Sequence, residues 1–168
     1  MTASQQARLK QGGASAVEFA LVLPVLLALI YSMFVYSYAF VVRESINYAA
    51  QLGAEAAVAV APDPIDTYQS RVTGFVQASV AGALSWMPAT LRDSAIGANG
   101  SAIVPLLCNP EGGGPSAFCP VNPTGGTPLV VPITVPVQSP HFPVINLPGL
   151  GAFPPMPATL SAVGVGLL

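Results

Sequence analysis

Residues 14–42, ASAVEFALVLPVLLALIYSMFVYSYAFVV, decide the architecture. They carry one charge, Glu18, and the 24 residues from Phe19 to Val42 carry none. As a helix rising about 1.5 Å per residue, that uncharged run spans about 36 Å, enough to cross a hydrocarbon core of about 30 Å with some tilt. Pro24 lies inside the run, where it is expected to kink the helix or strip one backbone hydrogen bond; a membrane helix tolerates this if the freed carbonyl finds a partner. Tyr31, Tyr36 and Tyr38 fall in its outer half, as aromatic residues near an interface do, and Arg43-Glu44 marks the far boundary. Upstream, residues 1–13 are polar and basic, with Arg8 and Lys10 and no acid. That asymmetry predicts a cytoplasmic N-terminus and an exported remainder. The rival is a cleaved secretory signal peptide, with a core of about 7–15 apolar residues and a small-residue cleavage site after it. The run is longer than that, although Ala49-Ala50 and later Ala pairs mimic a cleavage site.

Composition points the same way. The chain has 168 residues, room for one ordinary domain, with 52% apolar and only 7% charged side chains. A soluble domain carries about 25% charged residues, so this chain cannot cover a normal water-facing surface. The net charge of −2 excludes the clustered basic footprint of a nucleic-acid binder. One His and two Cys leave little for a metal cage or a His-centred catalytic site, and no cofactor is expected. His141 sits between prolines in Ser139-Pro140-His141-Phe142-Pro143 and reads as a loop residue. With no acid–base pair, nucleophile elbow or phosphate loop, the chain reads as a non-enzyme. Asn99-Gly100-Ser101 has the form of a glycosylation sequon and reads as a turn.

The border between the basic leader and the apolar run is Gly12-Gly13-Ala14-Ser15-Ala16-Val17-Glu18-Phe19. A carboxylate at the edge of a membrane segment is costly unless it is paired or reaches water. The simpler reading leaves Glu18 inert among the headgroups. The other depends on spacing: a cut after Gly13 makes Ala14 position 1 and Glu18 position 5, and the new α-amino group can neutralise the carboxylate within a subunit or across two neighbours. In a low-dielectric bundle that pairing would set the axial register.

This segment resembles the N-terminus of the TadE-like pseudopilins, minor pilin-like proteins of the tight adherence (Flp, type IVb/IVc) pilus system. The shared features are the basic leader, Gly13, four small or apolar residues, Glu18-Phe19, and the run Ala20 to Leu27 with Pro24. The resemblance is densest over Gly13–Leu29 and extends loosely to Val60. It implies a processing site at Gly13, Ala14, Glu18 and Phe19, cut after Gly13 by a prepilin peptidase. It also implies other pilins or pseudopilins and the Tad inner-membrane platform proteins as partners, beside the lipid bilayer. The expected location is the bacterial inner membrane, single-pass, with the C-terminal part periplasmic or carried into a surface pilus. The alternative function is an uncleaved single-pass anchor whose exported domain binds a partner or acts as an adhesin.

Beyond the run, Ile46, Ala49, Ala50, Gly53, Ala56, Ala57 and Val60 recur at helical spacing, with Asn47, Gln51 and Glu55 forming a polar row. The Ala/Gly face suits close approach of another helix, either a neighbouring subunit's or this chain's own. Pro62 ends this helix; Asp63 caps a second one with Pro64 at its first position and Asp66 at its third, running to about Ser85. Its stripe is Tyr68, Val72, Phe75, Val76, Val80, Ala83, Leu84 and Met87, and Trp86 is expected to close the core beside Met87. Gly74 and Gly82 weaken this helix.

Residues 105–168 hold 14 of the 18 prolines. Val131, Ile133, Val135 and Val137 alternate with Pro132, Thr134, Pro136 and Gln138, the pattern of a strand with one apolar face. Pro132 and Pro136 share a parity, so their missing N–H groups fall on one side and predict an edge strand. Residues 101–107 and 159–165 are further strand candidates. Cys108 and Cys119, outside the inner membrane, are expected to form a disulfide; free thiols and a metal site are the alternatives. The predicted fold is α+β: a long N-terminal transmembrane helix extending into the periplasm, a second amphipathic helix and a small Pro-rich antiparallel sheet. Its expected parts are a leader (1–13), a transmembrane helix (14–42), an exported helical region (43–100) and a Pro/Gly-rich β-containing region (101–168).

Overall fold

The computed structural model describes residues 3–60, 65–108, 119, 127–137, 142–147, 149 and 151–167. The fold is α+β. Three helices, α1 (Ala3–Val58), α2 (Ile65–Ala83) and α3 (Ala89–Ile96), precede a 3-10 turn at Ala98–Gly100. Five strands follow: β1 (Leu106–Leu107), β2 (Pro128–Pro136), β3 (Ile145–Leu147), β4 (Gly151–Phe153) and β5 (Thr159–Leu167). The readings of Pro62, Asp63, Pro64 and His141 lie outside the described residues.

α1 runs unbroken through Pro24. Proline has no N–H to give the carbonyl four residues back, so Ala20 loses that intrahelical bond, but the helix does not end. The outer half of α1 carries one buried stripe: Val35, Ala39, Val42, Ile46, Ala49, Gly53 and Ala57, at steps of three and four. α2 lays Val72, Val76 and Val80 against it, and Leu84 follows just past its end, all at most 3% exposed. The Ala/Gly face of α1 is thus used within the chain. At Gly53 an added Cβ would stand 2.8 Å from Val80 Cγ2 and 3.3 Å from Val131 Cγ1, so α1, α2 and β2 meet at a point where no side chain fits.

Phe75, of the predicted α2 stripe, and Trp86, expected to close the core beside Met87, both lie outside the core. Phe75 is 57% exposed, because it lies about 100° around the helix from Val76 and off the seam. Trp86 is 53% exposed and does not close the core. The chain leaves α2 in a turn whose Met87 N–H donates to the Leu84 carbonyl at 3.1 Å. Leu84 and Met87, three residues apart, take the inner side and Trp86 points outward. α3, which the apolar pattern did not announce, then buries Leu91 and Ile96. The Asn99 segment is a turn as expected, with Asn99 at φ 57°.

Two sheets form rather than one. The larger has the order β1-β2-β5, all antiparallel, and β3 pairs with β4 in a separate hairpin. The strand expected over 101–107 shrinks to Leu106–Leu107, while the last strand matches its predicted position and extends to Leu167. β2 pairs with β5 along its whole length, and with β1 only at Leu129 and Val130. It is therefore an inner strand near its start and an edge strand beyond. The proline reading fails over that first stretch because Leu106–Leu107 pairs there. Two bonds show the sidedness: Cys108 N–H donates to the Pro128 carbonyl at 2.8 Å on the β1 side, and Val137 N–H to the Ala158 carbonyl at 2.9 Å on the β5 side. Pro128, Pro132 and Pro136 share the parity of the β1 side, so the missing N–H groups at 132 and 136 fall where β1 has already ended.

The sheet reaches α1 through β5. Register pairs Leu129, Val131, Ile133 and Val135 of β2 with Gly166, Gly164, Ala162 and Leu160 of β5. The large residues fill the core, and the small ones let α1 lie on the strand. A Cβ at Gly164 would overlap the Ala50 carbonyl, and one at Gly166 would stand 3.1 Å from the Ala54 carbonyl. Cys108 and Cys119 are joined in a disulfide, with Cα atoms 5.6 Å apart.

Candidate functional site

Among the described residues, α1 is the one helix long and apolar enough to cross a membrane. From Val17 to Ile30 its large apolar side chains, Leu23 apart, stand 45–71% exposed, so no described element of the chain covers them. A soluble protein rarely leaves a contiguous apolar surface of this extent uncovered. Glu18 and Phe19 both lie on this bare part, exposed, six and five residues before Pro24. Gly13 and Ala14 fall within the α1 backbone, and their surroundings lie outside what the structure describes.

Two serine hydroxyls of the apolar run are arranged so that they need no water. Ser32 Oγ donates to the Ala28 carbonyl and Ser37 Oγ to the Met33 carbonyl, each at 2.7 Å. Such bonds to the preceding turn hide a hydroxyl inside a helix. Ser45 repeats the arrangement on the Val41 carbonyl at 2.8 Å.

The tyrosines do more than mark a boundary. Tyr31 Oη donates to the Pro143 carbonyl, Tyr36 Oη donates to the Pro155 carbonyl at 2.7 Å, and the Tyr38 ring tilts against Phe142 at 5.4 Å. All three dock the C-terminal region on α1 inside the uncharged run. Sequence reading missed Phe142, Pro143 and Pro155 as their partners; nothing local in a Pro-rich stretch reveals which carbonyl a distant phenol will reach. The opposite face of α1 remains free: Phe40, Val41 and Tyr48 are 63%, 50% and 60% exposed, on both sides of exposed Glu44.

The structure thus presents a bare apolar half-helix with a single carboxylate near its start, joined to a packed domain that leaves an apolar stripe uncovered. Residues 13–55 match the family model described as TadE-like protein. That segment is TadE-like. Its match begins at Gly13 and ends inside the domain's core stripe, two residues beyond Gly53. It supports a protein associated with the Tad pilus and anchored in a membrane. No curated protein and no solved structure matches the chain.

Proposed function

We propose that this chain is a minor pilin or pseudopilin that takes part in assembling a Tad/Flp-type adhesive pilus. A prepilin peptidase cuts after Gly13. The new α-amino group of Ala14 pairs with Glu18 of the same or a neighbouring subunit and sets the axial register. The N-terminus stays cytoplasmic, α1 crosses the inner membrane, and the domain lies on the far side, its packing on α1 beginning at Val35 within the outer part of the span. Other pilins and the platform proteins of the system are the partners. The chain itself catalyses nothing and supplies shape, register and an exported head.

One observation carries this reading: the TadE-like match starts at the residue where the cut is expected, on a helix whose side chains from Ser15 to Ile30 are buried by no described part of the chain. The exposed stripe of Phe40, Val41 and Tyr48 adds a surface on which a second α1 can pack. The test is the intact mass and N-terminal sequence of the protein extracted from its native membrane. A chain beginning at Ala14 bears the reading out. A chain that retains Met1–Gly13 makes it a permanent anchor, and the register role of Glu18 falls.

A further inference from the structure

The hairpin of β3 and β4, with its flanks, occupies residues 142–157, and its height on α1 is set by the tyrosine contacts. Taking hydrocarbon to begin at Phe19, just past Glu18, about 30 Å of upright helix ends near Tyr38. On that scale Tyr31 stands about 18 Å in and Tyr36 about 25 Å in. Their hydroxyls bond the carbonyls of Pro143 and Pro155, so the base of the hairpin lies level with the outer half of the span, about 5–12 Å short of its outer end. Arg43 and Glu44, where charge resumes, lie beyond it. Residues 112–168 carry no acid, Lys or Arg anywhere. Lack of charge therefore does not single out the hairpin; its level on α1 does.

Two costs oppose each other. Seated deep, a two-stranded hairpin leaves open edges in hydrocarbon, which lipid cannot satisfy. Lifted clear, it drags Glu18 into the hydrocarbon from the other side. The intermediate level is the boundary between headgroups and acyl chains. The sequence of the hairpin suits that level. Pro143, Pro148, Pro154, Pro155 and Pro157 have no N–H to leave unsatisfied. Two of the carbonyls are taken by the tyrosines, and Ile145 stands 49% exposed.

We infer that the β3–β4 hairpin rests in the outer interface of the same bilayer that α1 crosses, so that the chain holds the membrane at two places. The inference rests on the reading of α1 as the span. It is tested with the full chain, Trp86→Phe, carrying a single new tryptophan at Ile145, Ala152 or Leu26. Each variant is reconstituted in phosphatidylcholine vesicles with plain or brominated acyl chains. Ile145 and Ala152 lie on opposite faces of the hairpin and both are exposed, so one position remains informative if the other variant fails to fold. Unaltered Trp86, on the helical side of the domain, supplies the water-facing reference. The expected result is a blue-shifted emission and its loss on bromination at Ile145→Trp or Ala152→Trp, approaching the loss at Leu26→Trp. If Leu26→Trp is quenched and both hairpin tryptophans behave like Trp86, the hairpin is in water and the inference is overturned while the span stands. If Leu26→Trp also escapes quenching, the span reading and the inference fall together.

Discussion

Gly164 and Gly74 lack the same methyl group for opposite reasons. At Gly164 a Cβ meets the Ala50 backbone carbonyl, which cannot swing aside as a side-chain end can. Gly164→Ala should therefore lower stability by about 1–3 kcal/mol, the usual cost of overpacking. At Gly74, inside α2, nothing lies within 4 Å of the added carbon. Gly74→Ala should raise stability by about 0.5–1 kcal/mol through helix propensity. Thermal unfolding of the two variants in one detergent, followed by circular dichroism, checks both signs. Sequence reading marked Gly74 as a weak point of a helix but was silent on Gly164, because the need for a glycine there comes from a helix more than a hundred residues upstream. Glu18 poses a different question, since it is exposed and stabilises nothing within the described chain. Glu18→Ala should leave the melting temperature unchanged and deplete the protein from sheared pili, measured by immunoblot against the membrane fraction. Equal incorporation would remove the register role.

At the level of elements, legibility followed periodicity. α2 showed its seam because Val72, Val76 and Val80 stand among polar residues. β2 showed its apolar face because Val131, Ile133 and Val135 alternate with prolines and Thr134. The stripe of α1 was hidden over its first turns: Val35, Ala39 and Val42 face the domain and Phe34, Phe40 and Val41 face away, yet all are apolar, so no pattern separates them. The pairing of β1 was hidden too, since two residues carry no periodicity at all. The disulfide was legible from compartment and count. It joins the end of β1 to Cys119 across a sequence separation of 11, and a loop of that size stabilises by about 3 kcal/mol in the chain-entropy view. Reductant should lower the melting temperature of the parent chain and leave that of the Cys108→Ser/Cys119→Ser variant, already lower, where it is. An equal response of both would mean that the bridge contributes nothing to this domain.

For the whole molecule, the division between anchor and domain does not fall where charge resumes. Composition puts the end of the apolar segment at Val42, but packing begins at Val35, and the docking tyrosines reach back to Tyr31. None of the side chains from Ser15 to Ile30 is buried. The segment Ser15–Ile30 of α1 is therefore free to face lipid or another subunit without disturbing the core. That would suit the processing proposed above, in which a peptidase would act on the cytoplasmic end while the folded part lies towards the other side of the membrane. The consequence is measurable. A chain starting at Ala14 and one starting at Ile30 should differ in stability by no more than about 0.5 kcal/mol in the same detergent, since none of the side chains from Ser15 to Leu29 that separate them is buried. Only the Ile30 chain should also fail to enter pili, having lost Glu18 and the bare part of the helix. A lowered melting temperature for the Ile30 chain would show that the bare half-helix supports the domain, and that processing and folding are coupled after all.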